Sequence, residues 1–314
     1  MSGLARVGLF AGAVADWVVG DPRRGHPVAR FGAVAAALEH RWWRPSRPAG
    51  AAHVLVLVGG VAGVAAVAER GLGRRPAARA LLLAVVTWAG LGGRSLAEAG
   101  HQLAGAVRDG DLEAARRLAP TLVGRDPSGL DGPELCRAAV ESVAENTADA
   151  VVGPLLWGAL AGPAGVAGYR AANTLDAMVG HHCDRYEQFG WAAARLDDVL
   201  TWPAARLGAG LACVLAPLVG GEAGRAWRTL WRDGGAHPSP NAGHMEAAFA
   251  GALGVRLGGI NRYGGINRYG DRVEQRPILG GGPAPGPDDV DRAVRLSLLV
   301  GSAAAVLAAL VGRR

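Results

Sequence analysis

Long apolar stretches dominate the pattern of hydrophobic and polar positions along the chain. Five stretches carry no Asp, Glu, Lys or Arg, and a sixth, residues 4–20, is interrupted only by Arg6 and Asp16. The five uncharged stretches are residues 51–68, 80–93, 150–169, 207–221 and 296–312. Because a helix needs about 20 mostly apolar residues to cross a bilayer, the pattern predicts four to six crossings. The predicted fold class is all-α, a multi-pass integral membrane protein.

The polar segments between these stretches favour helices and turns over strands. β-branched residues other than Val are scarce, and strands are enriched in such residues. The longest polar segment before the middle of the chain has the pattern of amphipathic helices broken by the turn-rich string GRDPSGLDGPE. We therefore expect residues 1–314 to form a single membrane-embedded domain in the cell membrane.

Two alternatives compete with this interpretation. An Ala-rich soluble protein has buried helices that imitate membrane spans, and Ala13-Val14-Ala15 matches a signal-peptide cleavage site. The apolar core before that site is only about six residues, shorter than signal peptides usually have. Tryptophans near the ends of apolar stretches favour the membrane, because interfacial aromatics belong there. They are Trp17, Trp42, Trp43, Trp88, Trp157 and Trp202.

The third stretch, residues 150–169, contains helix-breaking residues. Pro154 and the pair Gly162-Pro163 interrupt it, and irregular backbone at membrane depth is tolerated where protein or a cavity surrounds it. The sequence predicts a broken or re-entrant element here. Such an element would bring the segment before it to the same side as the segment that follows.

Composition and charge exclude several kinds of chemistry. All 33 basic residues are arginine, so no lysine Schiff base can form and no P-loop lysine can hold nucleotide phosphates. The net charge of +6 is not accompanied by a basic stripe with interleaved aromatics, and we expect no nucleic-acid partner. Arginines crowd both the first and the second loop, so the positive-inside rule leaves open which loop is cytoplasmic.

Cysteine and histidine spacing gives no firm metal or disulfide site. Cys136, Cys183 and Cys213 are far apart and odd in number, so neither a disulfide framework nor a CxxC zinc site follows. The string His181-His182-Cys183-Asp184 allows a metal site, but adjacent residues point in different directions, which favours an ordinary polar loop.

Three carboxylates precede the broken element at helical spacing. Glu141, Glu145 and Asp149 are four residues apart, so they form one stripe about 12 Å long on a helix. Asn146 lies toward the same side. Carboxylates in a row suit Mg²⁺ together with substrate phosphates. The alternative is a solvated helix face, an interpretation that applies best to Glu141, which lies furthest from the apolar residues.

Further polar groups lie beside other apolar stretches. Asn173 with Asp176, and Arg195 with Asp198, are spaced to share a helix face. The turn of residues 237–241 presents His237, Ser239 and Asn241, and we expect Asn241 to cap the helix that continues through Glu246. Ionisable groups next to membrane segments are costly and usually functional.

The string GGINRYGGINRYG is an internal repeat of six residues, starting at residue 258. A six-residue period is far below that of any solenoid. We interpret the repeat as a tandem duplication in a loop, which loops tolerate.

Four long strings resemble the CobD/CbiB family of cobalamin biosynthesis, in that family's order, over residues 4–273. The strings are DWVVGDPRRGHPVARFG, ESVAENTADAVVGPLLWGALAGPAGVAGYRAANTLDAMVG, RYEQFGWAAARLDDVLTWPAARL and HPSPNAGHMEAAFAGALGVRLGG. The resemblance implies a multi-pass membrane enzyme, adenosylcobinamide-phosphate synthase. Such an enzyme joins the free propionate carboxylate of adenosylcobyric acid to the amine of an aminopropanol phosphate, using ATP. The chain departs from the family pattern in its doubled GGINRY, which leaves open whether residues 261–263 or 267–269 hold the family position.

Chemistry and resemblance together suggest roles for residues of these strings. Amide formation from a carboxylate needs activation, most simply as an acyl phosphate, which depends on positioning and charge neutralisation. The candidate catalytic residues are Glu145, Asp149, His237 and His26, where either histidine is a candidate base. The candidate metal ligands are Glu141, Glu145 and Asp149. The candidate substrate-binding residues are Asn146, Asn173, Asp176, Arg185, Arg195, Asp198, Ser239, Asn241, Glu246 and Arg256, with Arg185, Arg195 and Arg256 as phosphate clamps.

The resemblance also implies partners and a location. The expected partners are the corrinoid, the aminopropanol phosphate, membrane lipid and other enzymes of cobalamin biosynthesis, with an active site that faces the cytoplasm. The competing class is a non-enzymatic transporter or regulatory membrane protein, because helices broken by Pro and Gly also mark transporters.

Overall fold

Helices make up most of the chain in a computed structural model, which describes residues 3–22, 25–124, 127–181, 183–259, 267–269, 272–274 and 276–311. The helices are α1 (Gly3–Val19), α2 (Pro27–Trp42), α3 (Arg47–Gly71), α4 (Pro76–Gly90), α5 (Gly93–Arg108), α6 (Leu112–Leu118), α7 (Gly132–Thr147), α8 (Gly153–Val179), α9 (Trp191–Leu215), α10 (Ala223–Asp233), α11 (Ala242–Leu253) and α12 (Pro287–Val311). A π-helical segment, Ala148–Val152, joins α7 to α8. Short 3₁₀ turns follow α6 and α9, at Ala119–Thr121 and Ala216–Val219.

The predicted all-α class is confirmed, and strands are minor within the described ranges. β1 (Leu257–Gly258) pairs antiparallel with β4 (Ile278–Leu279), and β2 (Asn267–Tyr269) pairs antiparallel with β3 (Arg272–Glu274). Residues 261–263, one of the two candidate family positions in the repeat, lie outside the described residues.

Five helical stretches are long and apolar enough to cross a membrane. They are Arg47–Gly71, Pro76–Arg108, Gly132–Val179, Trp191–Val219 and Pro287–Leu310. They contain the five uncharged stretches of the sequence, except residues 220–221 of the fourth and 311–312 of the fifth. The sixth stretch forms α1, which has 17 residues.

The chain forms two compact units, each assembled from separate parts of the sequence. The first unit contains Met1–Gly92, Asp149–Ala204 and Ala304–Arg314, and the second contains Gly93–Ala148 and Ala205–Ala303. Neither unit is a continuous stretch of chain.

Close helix packing in the first unit depends on glycine. Gly8 of α1 lies against the backbone of Ala80 in α4, and Gly12 lies against Thr87 of α4. Small residues at such contacts let two backbones approach closely, which is how helices associate when lipid removes the hydrophobic driving force. α3 likewise packs along α8, where Gly168 faces Ala62.

Helix α8 is a hairpin of two arms, residues 153–161 and 163–179. Gly162 has φ 64° and ψ −149°, a conformation essentially restricted to glycine, and Pro163 follows it. Gly153 faces the ring of Tyr169, and Gly158 faces Val166. A straight helix would hold residues 153 and 169 about 24 Å apart, so the chain reverses at Gly162. The predicted break is confirmed.

In the second unit, helix α7 is buried along almost its whole length. It begins with a capping box in which Glu134 N–H donates to Asp131 and Asp131 N–H donates to Glu134. Helices α5 and α11 pack against it. Glu141 is only 5% exposed, so the interpretation of Glu141 as part of a solvated helix face is wrong, because the face that carries it packs against protein.

Candidate functional site

A His-Pro turn in the second unit orients His237. Ser239 N–H donates to His237 Nδ1 over 3.0 Å. The Ser239 hydroxyl oxygen accepts from Asn241 N and Ala242 N, at 3.3 and 3.1 Å. Ser239 therefore provides the hydrogen-bond acceptor for the free backbone amides at the start of α11. The expectation that Asn241 caps this helix is wrong, because its side chain makes no capping bond and its Oδ1 instead accepts from Arg206, at 3.0 Å.

The imidazole of His237 is buried beside a carboxylate. Burial, and secondarily the charge of Arg276, lower the pKa of His237 to about 4, so the ring is neutral at physiological pH. Because Nδ1 accepts the Ser239 amide, the ring proton is assigned to Nε2. That nitrogen lies 3.9 Å from Glu246 Oε1. Glu246 is fully buried and also lies 3.6 Å from Arg276 Nη1.

Charged side chains of the same unit hold the two ends of the segment that contains the repeat. Gly258 N–H donates to Glu141 Oε1 over 2.8 Å, and Arg137 Nη1 donates to Gly258 O over 2.6 Å. At the other end, Gly280 N–H donates to Asp233 Oδ2 over 2.8 Å. The guanidinium of Arg232 holds the pKa of Asp233 below its usual value, which keeps this acceptor ionised.

Other predicted residues of the second unit differ in their surroundings. Glu145 and Asn146 are partly exposed. The Asn146 amide donates to Ser142 O and Oγ, at 2.9 and 3.1 Å, so it is tied to its own helix. Arg256 is exposed.

A polar cluster lies in the first unit, where the hairpin arms meet α9. Arg170 Nη1 donates to Asn173 Oδ1 over 2.9 Å, and Asn173 Nδ2 donates to Asp197 Oδ1 over 3.2 Å. Tyr169 OH shares a hydrogen bond with Thr201 Oγ1 at 3.0 Å. The carboxylates of Asp149 and Asp197 both act electrostatically on the Tyr169 hydroxyl. Asn173 therefore belongs to a network of polar groups, of which Tyr169, Asp197 and Thr201 are buried.

The second His-Pro turn, at His26, has the same local geometry as the turn at His237. Val28 N–H donates to His26 Nδ1 over 3.2 Å, which caps α2. His26 Nε2 lies 3.3 Å from Asp21 Oδ1. In each turn the histidine accepts the amide two residues ahead and directs Nε2 at a carboxylate.

The remaining predicted residues of the first unit make local contacts. Arg185 Nη2 donates to Glu39 Oε1 over 2.9 Å and its guanidinium lies 4.8 Å from the Trp43 ring. Arg195, a largely exposed side chain, pairs with Asp198 at 3.5 Å. Asp176 lies against Gly180. The structure thus brings Asn173 into the polar cluster, and it pairs Arg185 with Glu39 and Arg195 with Asp198.

Sequence reasoning missed several buried or partly buried ionisable residues. The buried ones are Arg137, Asp197 and Asp233, and the partly buried ones are Arg170 and Arg276. The sequence did hold a signal for Arg170 and Asp197. Arg170 is three residues before the predicted site residue Asn173, and Asp197 directly precedes the predicted Asp198. Arg276 had no such signal, because only folding brings it to Glu246.

No group of three or more His, Cys, Asp or Glu side chains is placed to hold a metal ion among the residues that the structure describes. Magnesium bound through one or two carboxylates together with substrate phosphates needs no such group.

The fold and these clusters define a multi-pass helical membrane protein with ionisable side chains buried in both units. The model of the CobD/Cbib protein family matches residues 9–297, so the chain belongs to this family. No solved structure matches the chain.

Several relatives are similar over most of their length, each named cobalamin biosynthesis protein CobD. The relative from Mycobacterium tuberculosis (strain H37Rv) is 53% identical over 308 residues, 97% of this chain and 95% of the relative. A relative from Rhodobacter capsulatus is 43% identical over 280 residues, 87% of this chain and 85% of the relative. The relative from Geobacter metallireducens is 45% identical over 260 residues, 81% of this chain and 82% of the relative.

Proposed function

We propose that this protein is an ATP-dependent amide ligase of cobalamin biosynthesis. It attaches an aminopropanol phosphate, through its amine, to the free propionate carboxylate of adenosylcobyric acid and forms adenosylcobinamide phosphate. The observation that carries the proposal is membership of the CobD/Cbib family over residues 9–297. The ionisable clusters buried in both units support it, since such groups are costly in a membrane protein and usually functional.

The reaction requires activation of the carboxylate, and the residues present limit how the nucleotide is held. With no lysine in the chain, arginine, backbone amides or a metal ion must hold the ATP phosphates. Magnesium, when bound, neutralises charge on the transferred phosphoryl group. Glu145 and Asp149 are each a candidate oxygen donor, because each is partly exposed. Glu141 fits poorly, because its Oε1 already accepts from Gly258.

The attacking amine must lose a proton, and we assign this task to the pair of His237 and Glu246. His237 is neutral at physiological pH and presents Nε2–H toward Glu246. That proton prevents Nε2 from acting as the base alone. Glu246 accepts the ammonium proton in this proposal, and His237 orients and stabilises the carboxylate. His26, with its Asp21 partner at 3.3 Å, is the second candidate.

We place the protein in the cell membrane with this site facing the cytoplasm, where ATP is available. The second candidate function is a transporter or a regulatory membrane protein. The break in α8 at Gly162 favours it, because transporters also use broken helices beside polar sites.

Genetic complementation separates the two functions. We expect the chain, expressed in a bacterium that lacks the synthase, to restore corrinoid synthesis from adenosylcobyric acid. Failure despite confirmed membrane insertion would favour the transporter or regulator. The variant Glu222→Gln provides a control for expression, because Glu222 is exposed.

A further inference from the structure

A cavity in the first unit is lined almost entirely by apolar side chains. Its volume is about 270 Å³, and its walls come from α2, α3, α4 and the second arm of α8. Phe31, Val61 and Val86 are typical wall residues. Arg170 is the charged residue among the described residues that line it. A guanidinium in a largely apolar cavity is energetically costly unless it is paired, because burying a charge costs free energy. Its presence therefore indicates a role in binding.

Arg170 is held in a fixed orientation with one edge unused. Its Nη1 donates to Asn173, which in turn donates to Asp197. Its Nε is buried and has no hydrogen-bond acceptor within the described part of the chain. The edge formed by Nε and Nη2 is the planar fork that binds carboxylates through two parallel hydrogen bonds. Because the network fixes the guanidinium beforehand, a ligand would not need to order it.

The position of Arg170 along its helix strengthens this argument. It lies in the middle of the 163–179 arm, seven residues after Pro163 and nine before Val179. The arm is a mostly apolar helix of 17 residues in a chain that also has long apolar helices typical of a membrane protein. Ionisable groups in the middle of such helices usually mark substrate or ion sites.

We propose that Arg170 binds a carboxylate carried on a short aliphatic arm, and that the cavity accepts the arm. This inference rests on the proposed function, which identifies the ligand as the free propionate of the corrinoid. The cavity lies below the range of about 300–1,000 Å³ that is usual for whole small-molecule ligands. It therefore accepts one side arm, while the macrocycle remains outside.

The chemistry of the walls selects a carboxylate over a phosphate. A phosphate dianion offers more acceptor oxygens than one guanidinium edge can satisfy. The other polar lining residue, Thr174, already donates its hydroxyl to the carbonyl oxygen of Arg170. A monoanionic carboxylate places each of its two oxygens on one N–H of the fork, and the methylenes of its arm bury apolar surface.

The test measures binding, without turnover, on the full-length protein in detergent micelles. Equilibrium dialysis compares the corrinoid with a free propionate against the same corrinoid with that propionate amidated. We expect the parent protein to prefer the free acid. Arg170→Gln should weaken binding of the acid roughly ten- to a hundredfold, the scale of hydrogen bonds to a charged group, and leave binding of the amide unchanged. Arg79→Gln is the matched control, because Arg79 pairs with Glu69 at the surface of the same unit.

A second variant keeps the inference falsifiable if Arg170→Gln fails to fold. Ala89→Leu fills the cavity from α4 and leaves the guanidinium in place, and it should also remove the preference for the acid. If the parent itself does not prefer the acid, the proposed function fails. If the parent prefers it and folded Arg170→Gln or Ala89→Leu keeps the full preference, the Arg170 subsite is wrong. Weakened binding of aminopropanol phosphate alone in Arg170→Gln would also overturn it, in favour of a phosphate site.

Discussion

His237 Nε2 lies 3.9 Å from Glu246 Oε1, and the two side chains are 4% and 0% exposed. Arg276 Nη1 lies 3.6 Å from the same oxygen. Removing these charged groups from water costs free energy during folding. The neutral histidine and the cation on the other side make Glu246 a carboxylate with two orienting partners. In the proposed reaction, Glu246 accepts the proton that the attacking amine loses.

Removing the charge of Glu246 tests this role. We expect Glu246→Gln to lower turnover by about 10² or more, the scale of losing one positioned electrostatic group. Corrinoid amide formation by the purified variant measures the effect. Glu222→Gln, the same substitution at an exposed position of the same unit, should turn over like the parent. Parent-like turnover of a folded Glu246→Gln would remove Glu246 from the mechanism.

Stability should depend on pH through His237. Its pKa is lowered to about 4 in the folded protein from an ordinary value of 6.5. Between these values the unfolded chain binds more protons than the folded one, so the free energy of unfolding rises with pH through this window. It falls as pH drops from about 6.5 to 4, by an amount of up to about 3 kcal/mol from this group.

Thermal unfolding in detergent between pH 4 and 7 measures this dependence. His237→Asn removes the titrating group and should flatten the curve over this window. His244 shows a lowered pKa as well, caused first by burial and then by Arg206, so some slope remains in the variant. An unchanged slope in His237→Asn would show that the imidazole is not buried in the neutral form.

Of the three carboxylates at helical spacing, we expect Glu141 to contribute to stability, and Glu145 and Asp149 to contribute to turnover. Glu141→Ala removes the acceptor of Gly258 N–H and should cost about 1–3 kcal/mol of stability, measured by thermal unfolding. Glu145→Gln and Asp149→Asn keep the side-chain size, and we expect them to insert normally and lose about 10² in turnover. If both insert normally and turn over like the parent, the catalytic assignment of the stripe fails.

The α8 hairpin should be sensitive to one methyl group. Gly153 faces the ring of Tyr169, which is 2% exposed, so Gly153→Ala forces the arms apart and should cost about 1–3 kcal/mol by overpacking. Gly63→Ala is the matched control in α3, because no atom lies within 4 Å of the added carbon. It should be neutral or stabilising by up to about 1 kcal/mol. Equal unfolding temperatures for the two variants would contradict the hairpin packing.

Much of the fold follows from the sequence because apolar length and helix-breaking residues act locally. The uncharged stretches predict helices, and Gly162-Pro163 predicts that the third of them is broken, since the backbone conformation found at Gly162 is essentially restricted to glycine. The two wrong details concern surroundings that local pattern does not encode. Glu141 was interpreted as solvated because it lies furthest from the apolar stretch, but it is only 5% exposed and accepts from Gly258 of β1.

The candidate site is less predictable for the same reason. Ser239 and Asn241 stand two residues apart, and local pattern alone does not show which of them reaches the free amides of α11. Arg276 approaches Glu246 across 30 residues of sequence, and Arg170 is an isolated cation within a mostly apolar arm. Their roles depend on which acceptors tertiary packing leaves within reach.

Direct detection of the amide product tests the central claim. Purified protein in detergent is incubated with adenosylcobyric acid, aminopropanol phosphate, ATP and Mg²⁺, and the corrinoid is analysed by mass spectrometry. We predict adenosylcobinamide phosphate, with one ADP and one phosphate released per amide, as activation through an acyl phosphate requires. A monodisperse protein that binds the corrinoid yet forms no amide with either the phosphorylated or the free amine would contradict the proposed function.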